Sequence, residues 1–207
     1  MLNCNYSSTK SSGTLRKEVS EMDKEKIEYH IRGLLEAIGE NPDREGLAET
    51  PSRVAGMLAE VLEGTAYSNH EIAEMFSKTF TAENSDAEEA VVMKDITVFS
   101  YCEHHLALMY DMTVNVAYIP RGRVLGLSKI ARICDMAAKR LQLQERLGRD
   151  IAEIISEAAG TPDVGVKILG SHSCMTARGI RNASARTETR TYTGKFKGNR
   201  DLQKLLD

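Results

Sequence analysis

Two short segments constrain this chain more than any other feature: YCEHHLAL at 101–108 and SHSCMTARGIR at 171–181. The chain has 4 cysteines and 5 histidines. Cys102, His104, His105, His172 and Cys174 all fall in these two places. If they act together, the fold must deliver two distant segments to one spot. Zinc favours cysteine thiolate and histidine nitrogen; catalytic zinc typically takes three protein ligands and leaves the fourth position to water. Cys102 and His105 are spaced for two ligands on one tight bend, and Cys174 can complete a Cys-His-Cys set. A structural site needs a fourth ligand. His104 or His172 can supply it, so spacing alone leaves open and closed sites both standing. The plain alternative is that Cys102 and Cys174 are buried core thiols and the histidines are hydrogen-bonded polar residues. In an open site, bound zinc lowers the pKa of its water to about 7. His104 and His172 are then spare imidazoles, whose ordinary pKa of about 6.5 suits proton transfer.

Composition narrows the setting. A chain of 207 residues can build one good core with a helical appendage. The net charge of −3 does not mark a nucleic-acid binder. No apolar run approaches the ~20 residues that cross a bilayer. The N-terminal stretch MLNCNYSSTKSSGTLRKEVSEM lacks the apolar region of a secretory signal and reads as a mobile tail over 1–22. The expected setting is cytoplasmic, where cysteines stay reduced, with neither nucleic acid nor membrane as partner. Cys4 lies in the tail. Cys134 falls in a helical apolar pattern and reads as a small core residue.

Periodicity changes along the chain. Ile27, Ile31, Leu34, Leu35 and Ile38 recur at helical spacing, with Gly39 as a stop. Thr50-Pro51 reads as an N-cap followed by proline at the first helical position; Val54, Met57, Leu58, Val61 and Leu62 then form one face, ended by Gly64. A short helix after Asn69 and an acidic linker at 81–89 follow. AVVMKDITVFSYC and MTVNVAYIP are strand-like. Ser128 is placed to cap a helix running to about residue 140. Leu147, Ile151, Ile154, Ile155 and Ala158 mark another, stopped by Gly160. VGVKILGS reads as a strand, and CMTARGI as a further one, which puts Arg178 on the same face as Cys174. SARTETRTYTGKF alternates without an apolar face and suits a hydrated barrel interior or a subunit interface. The division is a tail at 1–22, a helical region at 23–80 and a main domain at 90–207.

Basic residues gather near the two segments. GLSKIAR places Lys129 and Arg132 in a first helical turn, where cations disfavour the helix and an anionic ligand favours it. Taken singly, each such residue is equally well a solvated surface charge. In QLQERL, the Glu145 carboxylate can accept two hydrogen bonds from a guanine edge, although on sequence alone a surface glutamate reads more simply.

CEHH, VAYIP, GLSKIAR, QLQERL and HSCMTARGIR, in this order and spacing, resemble the GTP cyclohydrolase I family, as does GENPDREGLAETPSRVAGM near the N-terminus. The resemblance runs from about residue 23 onward. It implies an α+β tunnelling fold: an antiparallel sheet plus helices per subunit, assembling into a multi-subunit β-barrel, with an N-terminal helical extension. The implied assembly is a homodecamer of two stacked pentamers. The implied reaction converts GTP and water to 7,8-dihydroneopterin triphosphate and formate, the first step of pterin and folate-type biosynthesis. By the same resemblance, Cys102, His105 and Cys174 are the zinc ligands. His104, His172 and Ser128 are catalytic. Arg53, Lys129, Arg132 and Arg178 contact the triphosphate, and Gln144 and Glu145 recognise guanine. The chain departs from the family pattern after CEHH, where many members carry a proline followed by a glycine. Here the run is LALMYDM, slightly longer, which bears on the loop beside the ligands.

Overall fold

The computed structural model describes residues 22–81 and 89–207. Apart from Met22, the tail expected at 1–22 lies outside the described residues, as does the acidic linker between Thr81 and Glu89. The chain opens with a helical hairpin, α1 (Lys24–Ala37) against α2 (Thr50–Val61). Asp23 caps α1 by accepting from the Lys26 N–H at 2.9 Å, and Gly39 follows at φ +86°, in the left-handed region where glycine carries no Cβ penalty. Thr50 is not the N-cap of α2. That position is Glu49, without a side-chain cap, and Thr50 and Pro51 lie inside the first turn. A 3-10 turn at Glu63–Ala66 leads to α3 (Asn69–Met75), where Ser68 and Glu71 form a reciprocal capping box.

A short ribbon pairs β1 (Thr79–Thr81) with β4 (Arg123–Leu125). The main sheet has five strands in the order β5-β2-β3-β6-β7. These are β2 (Val91–Cys102), β3 (Ala107–Tyr118), β5 (Leu141–Gln142), β6 (Val164–His172) and β7 (Thr187–Tyr192). All neighbours are antiparallel except β2 and β5. Two helices, α4 (Leu127–Ala138) and α5 (Gln144–Ala159), cover one face. The core is built from alternating strand positions, Ile96 and Val98, Val114 and Val116, Val166 and Ile168, against Ile130, Ile133, Leu147, Ile151, Ile154 and Ile155. Burial of alternate strand residues against one helical stripe is what period 2 meeting period 3.6 produces. Gly160 ends α5 at φ +67°.

Besides Thr50, two elements differ from the sequence reading. Ser128 does not cap α4; Gly126 holds that position and Ser128 sits in the first turn. CMTARGI is not a strand, because β6 runs straight into a single helical turn, α6 (Ser173–Thr176). The polar strand β7 turns Thr187, Thr189 and Thr191, all half-buried, to one side and leaves Glu188 and Arg190 exposed on the other. Threonine methyls under α5 do part of the work of an apolar face. The chain ends in α7 (Arg200–Lys204), with Phe196 and Leu206 fully buried against Ala117 and Ile119.

One polar network ties the helical segment to the sheet. Arg140 donates to the carbonyls of Gly64 at 3.0 Å and Tyr67 at 2.9 Å, to Asn69 Oδ1 at 2.7 Å and to Asp150 Oδ2 at 3.2 Å. Arg140 and Asp150 are 15% and 16% exposed. Gln142 Nε2 donates to the same carboxylate at 2.9 Å. Arg140→Met is expected to cost about 2–3 kcal/mol, because it strands a mostly buried carboxylate and two carbonyls. Urea unfolding checks this; an unchanged midpoint shows that the network contributes nothing.

Candidate active site

The pairing of the strands explains how the two cysteine–histidine segments meet. β2 and β6 both run antiparallel to β3, which lies between them. They therefore point the same way and finish at the same end of the sheet. Cys102 is the last residue of β2 and pairs with Ala107 across a four-residue turn, with Leu106 at φ +50°. His172 is the last residue of β6 and pairs with Met109; α6 then turns Cys174 toward the hairpin. β5 joins at the same end, where Gln142 pairs with Cys102 and α5 begins at Gln144.

The ligand atoms of Cys102, His105 and Cys174 all lie within 4.8 Å of one another. Tetrahedral zinc with bonds of about 2.0–2.3 Å needs its donors roughly 3.5–3.8 Å apart, so a contraction of no more than about 1.3 Å closes the set on one ion. Burial first, and then the facing Cys102 thiol, push the Cys174 thiol up. A thiol that resists ionisation and faces a second thiol fits a site completed by a cation, which reverses that balance. The donor set is soft and borderline, as zinc prefers.

Around this triad the structure gathers five of the other expected residues, His104, His172, Gln144, Glu145 and Arg178. His104 Nδ1 lies 3.9 Å from Cys102 Sγ. His172 is half-buried, and its Nε2 is 2.9 Å from Gln144 Oε1. Burial lowers the pKa of His172, while the Glu145 carboxylate nearby acts the other way. Glu145 is exposed and Gln144 is not. Arg178 reaches the triad although it is not on a strand: α6 and the following turn bring its Nη1 to 2.8 Å from His105 Nε2. Ser128, Lys129 and Arg132 are not brought to the triad within this chain: α4 starts just after Leu125, which bonds to Tyr118, the partner of the first residue of β2, whereas Cys102 is the last; Ser128 and Arg132 are exposed there, and the Lys129 ammonium lies 5.9 Å from the centre of the Phe76 ring. Arg53 stands apart on α2, exposed and paired with Glu49.

Two supporting residues escaped the sequence reading. Glu103, between the expected ligands, donates its N–H to the Gln142 carbonyl at 3.1 Å and pairs through its carboxylate with Arg146. Arg146 also donates to Gln142 Oε1 at 2.9 Å and to the Leu141 carbonyl at 2.7 Å. The signal was present in QLQERL, whose polar residues are too dense for an ordinary strand-to-helix joint. The run LALMYDM is not a longer loop beside the ligands. β3 starts at Ala107 and carries a bulge further along, with Asp111 at φ +49°.

Buried Cys134 is inert: burial in the core raises its thiol pKa, so it behaves as the small apolar residue its helical pattern implies.

A family model described as GTP cyclohydrolase I matches residues 27–206. A protein of Ruminiclostridium cellulolyticum named GTP cyclohydrolase 1 is 60% identical over 188 residues, covering 89% of this chain and 96% of its own. The protein of that name from Clostridium acetobutylicum is 57% identical over 183 residues, covering 87% and 94%. One from Clostridium botulinum is 56% identical over 178 residues, covering 84% and 91%. With a match across most of its length, and a sheet that brings the two motif segments together, the chain belongs to the GTP cyclohydrolase I family of enzymes.

Proposed function

We propose that this chain converts GTP and water to 7,8-dihydroneopterin triphosphate and formate, with zinc held by Cys102, His105 and Cys174. The observation that carries the reading is the convergence of that donor triad with two further histidines, His104 and His172, at one end of the sheet. When bound there, zinc supplies a water made acidic enough to act as a nucleophile near neutral pH. His172 gives a proton to N7 of the guanine ring, which draws electrons from C8 and opens it to attack by water. Cleavage of the C8–N9 bond leaves a formamide on N7, and a second water releases formate. Rearrangement of the ribose and closure of the pterin ring then expel one water, so the net reaction consumes one. His104 serves the proton transfers of these later steps, with Ser128 supplied by another subunit of the assembly.

The expected basic residues suit a triphosphate. Lys129 and Arg132 stand in the first turns of α4, where the helix N–H groups and dipole also favour an anion; at the far end of the sheet from Cys102 in their own chain, they meet this triad only if the assembly brings another subunit's α4 to it. Arg178 is coupled to the ligand set. A neutral ligating imidazole gives its one lone pair to the ion and carries hydrogen on its other nitrogen. Ion binding through either nitrogen of His105 therefore releases the Arg178 guanidinium, which stays beside the site and suits phosphate recognition. Arg53, remote on α2, meets a triphosphate only if the assembly brings another subunit's α2 to the site.

The reading includes a homodecamer. β5 covers β2 only at Tyr101 and Cys102, so β2 presents an open edge over much of its length. Among the described residues β7 has one neighbour, β6. Two open edges on one antiparallel sheet suit repeated pairing around a ring, which removes both. On α1 no residue is buried, and Leu34 and Ile38 are 55% and 66% exposed, which suits a further contact between rings. The reaction is placed in the cytoplasm.

Incubation with GTP is expected to release formate and give a product that fluoresces as neopterin after oxidation. About one zinc per subunit is expected by metal analysis. In Cys174→Ser both zinc and turnover should fall to background, since a hydroxyl is a far poorer zinc ligand than a thiolate. Absence of formate from the zinc-loaded parent, or full turnover by metal-free protein, would sink the reading.

Base selection is expected to rest on Glu145. Its carboxylate can pair with two donors on the guanine edge, and adenine offers neither in that arrangement. Glu145→Gln should lower kcat/KM for GTP by about 30- to 1,000-fold with zinc content unchanged. Kinetics within about twofold of the parent would make it a surface glutamate.

Light scattering should give a particle of about 230 kDa, ten times the 22.9 kDa chain. A stable, active monomer is incompatible with the assembly proposed.

A further inference from the structure

Gln144 is the first residue of α5 and is 2% exposed. Its polar atoms are enclosed by partners whose chemistry fixes how the amide sits. One end faces the main-chain oxygens of Ile168 at 3.1 Å and Thr187 at 2.9 Å, with Thr189 Oγ1 at 3.3 Å. Carbonyl oxygens only accept, so this end is the NH2 group. The other end is then the oxygen, which also only accepts, and it lies 2.9 Å from His172 Nε2. The hydrogen of that contact therefore belongs to His172. Gly170 keeps the space open: a Cβ there would stand 2.9 Å from the Met112 side chain and 3.4 Å from Gln144 Oε1.

We propose that Gln144 is a positioning residue that holds His172 with its hydrogen on Nε2, so that the proton exchanged with substrate is the one at Nδ1. The hydrogen bond is available to the neutral ring and to the cation alike, because both carry hydrogen on Nε2. The ring therefore keeps its orientation while the proton moves. Because the amide donates to both β6 and β7, it also fixes the ring relative to the sheet. This differs from the guanine contact that the family resemblance implies for Gln144. A buried amide with both ends engaged has nothing to offer a base edge, whereas Glu145, the next residue, is exposed. The recipient of the proton rests on the proposed function; the state of the ring does not.

The test uses the full chain with ring-15N-labelled histidine and no GTP. The His172 resonances are assigned by their loss in His172→Asn. The expected result for the parent is a ring with hydrogen on Nε2. Gln144→Met, similar in shape but without an acceptor, should give a mixture of the two neutral forms. Its kcat for GTP should fall about 10- to 100-fold, as for other residues that orient a functional histidine, with KM changed less than about threefold. Thr189→Val, which touches the amide but not the ring, should leave the Nε2–H form and kcat near the parent. A parent ring with hydrogen on Nδ1 alone overturns the proposal, as does an unchanged ring in Gln144→Met. A raised KM with unaltered kcat also overturns it and restores the guanine contact. If Gln144→Met does not fold, the parent ring alone decides. A parent that releases no formate from GTP refutes the proposed function and leaves the ring measurement to stand by itself.

Discussion

The antiparallel pairing of β3 with both β2 and β6 is the constraint on which the site depends. It makes β2 and β6 co-directional neighbours-but-one, so their last residues, Cys102 and His172, come out at the same end of the sheet. Strands with one neighbour between them lie about 10 Å apart. That gap is too wide for two thiols to share an ion directly. The helical turn at Ser173–Thr176 and the hairpin turn after Cys102 close it. The ligand set is thus a product of sheet topology and two local reversals, and each reversal sits where the ladder stops.

A second layer keeps those reversals in place. The hairpin turn is free of ladder bonds, yet Glu103 is held through its N–H by the Gln142 carbonyl and through its carboxylate by Arg146. Gln142 is in turn fixed by the Ala137 carbonyl at 3.0 Å and by Asp150, the carboxylate that Arg140 also contacts. A chain of hydrogen bonds therefore runs from the segment before α3, through Arg140, Asp150 and Gln142, to the residue following Cys102. Side chains locked by such contacts lose little further freedom when a ligand binds, which is how a site is held ready for an ion or a substrate.

Much of this was legible in the sequence, and the exceptions have physical causes. The apolar stripe of α5 could be read directly because its side chains meet one surface at period 3.6, and Gly160 marked its end. The site residues could be read as a group because cysteine and histidine are scarce and these five are concentrated. The misread segments share a different property: their conformation is decided by tertiary contacts. CMTARGI has the composition of a short strand, but β6 has no ladder partner past Met109 and His172, so the chain is free to coil. Thr50 has the chemistry of a cap, but the helix starts one residue early and the cap falls to Glu49. Gln144 is a separate case: it sits in a motif that resembles a nucleotide contact, and its burial among Ile168, Thr187 and His172 comes from neighbours distant in sequence.

The run LALMYDM shows why an added residue need not disturb a site. In a regular strand one extra residue sends every later side chain to the opposite face. Met109 and Met112 are both buried, at 1% and 0% exposure, although an interval of three should place them on opposite faces. Across from them, Ser100 pairs with Met109 and Val98 with Met112, while on the other side Tyr110 pairs with Ser171 and Thr113 with Leu169. β3 thus carries one more residue than either neighbour at the same level, which defines a bulge. Asp111 takes the left-handed conformation there, one that aspartate tolerates better than most residues, and Arg186 donates to its carbonyl at 2.8 Å. The bulge restores the alternation for Val114, Val116 and Tyr118, so the core beyond it is unaffected. On the other side the pairing of Cys102 with Ala107 and of Met109 with His172 is intact. The bulge residue is absorbed by strand geometry between the site and the core, and the positions of Cys102, His105 and Cys174 do not register it.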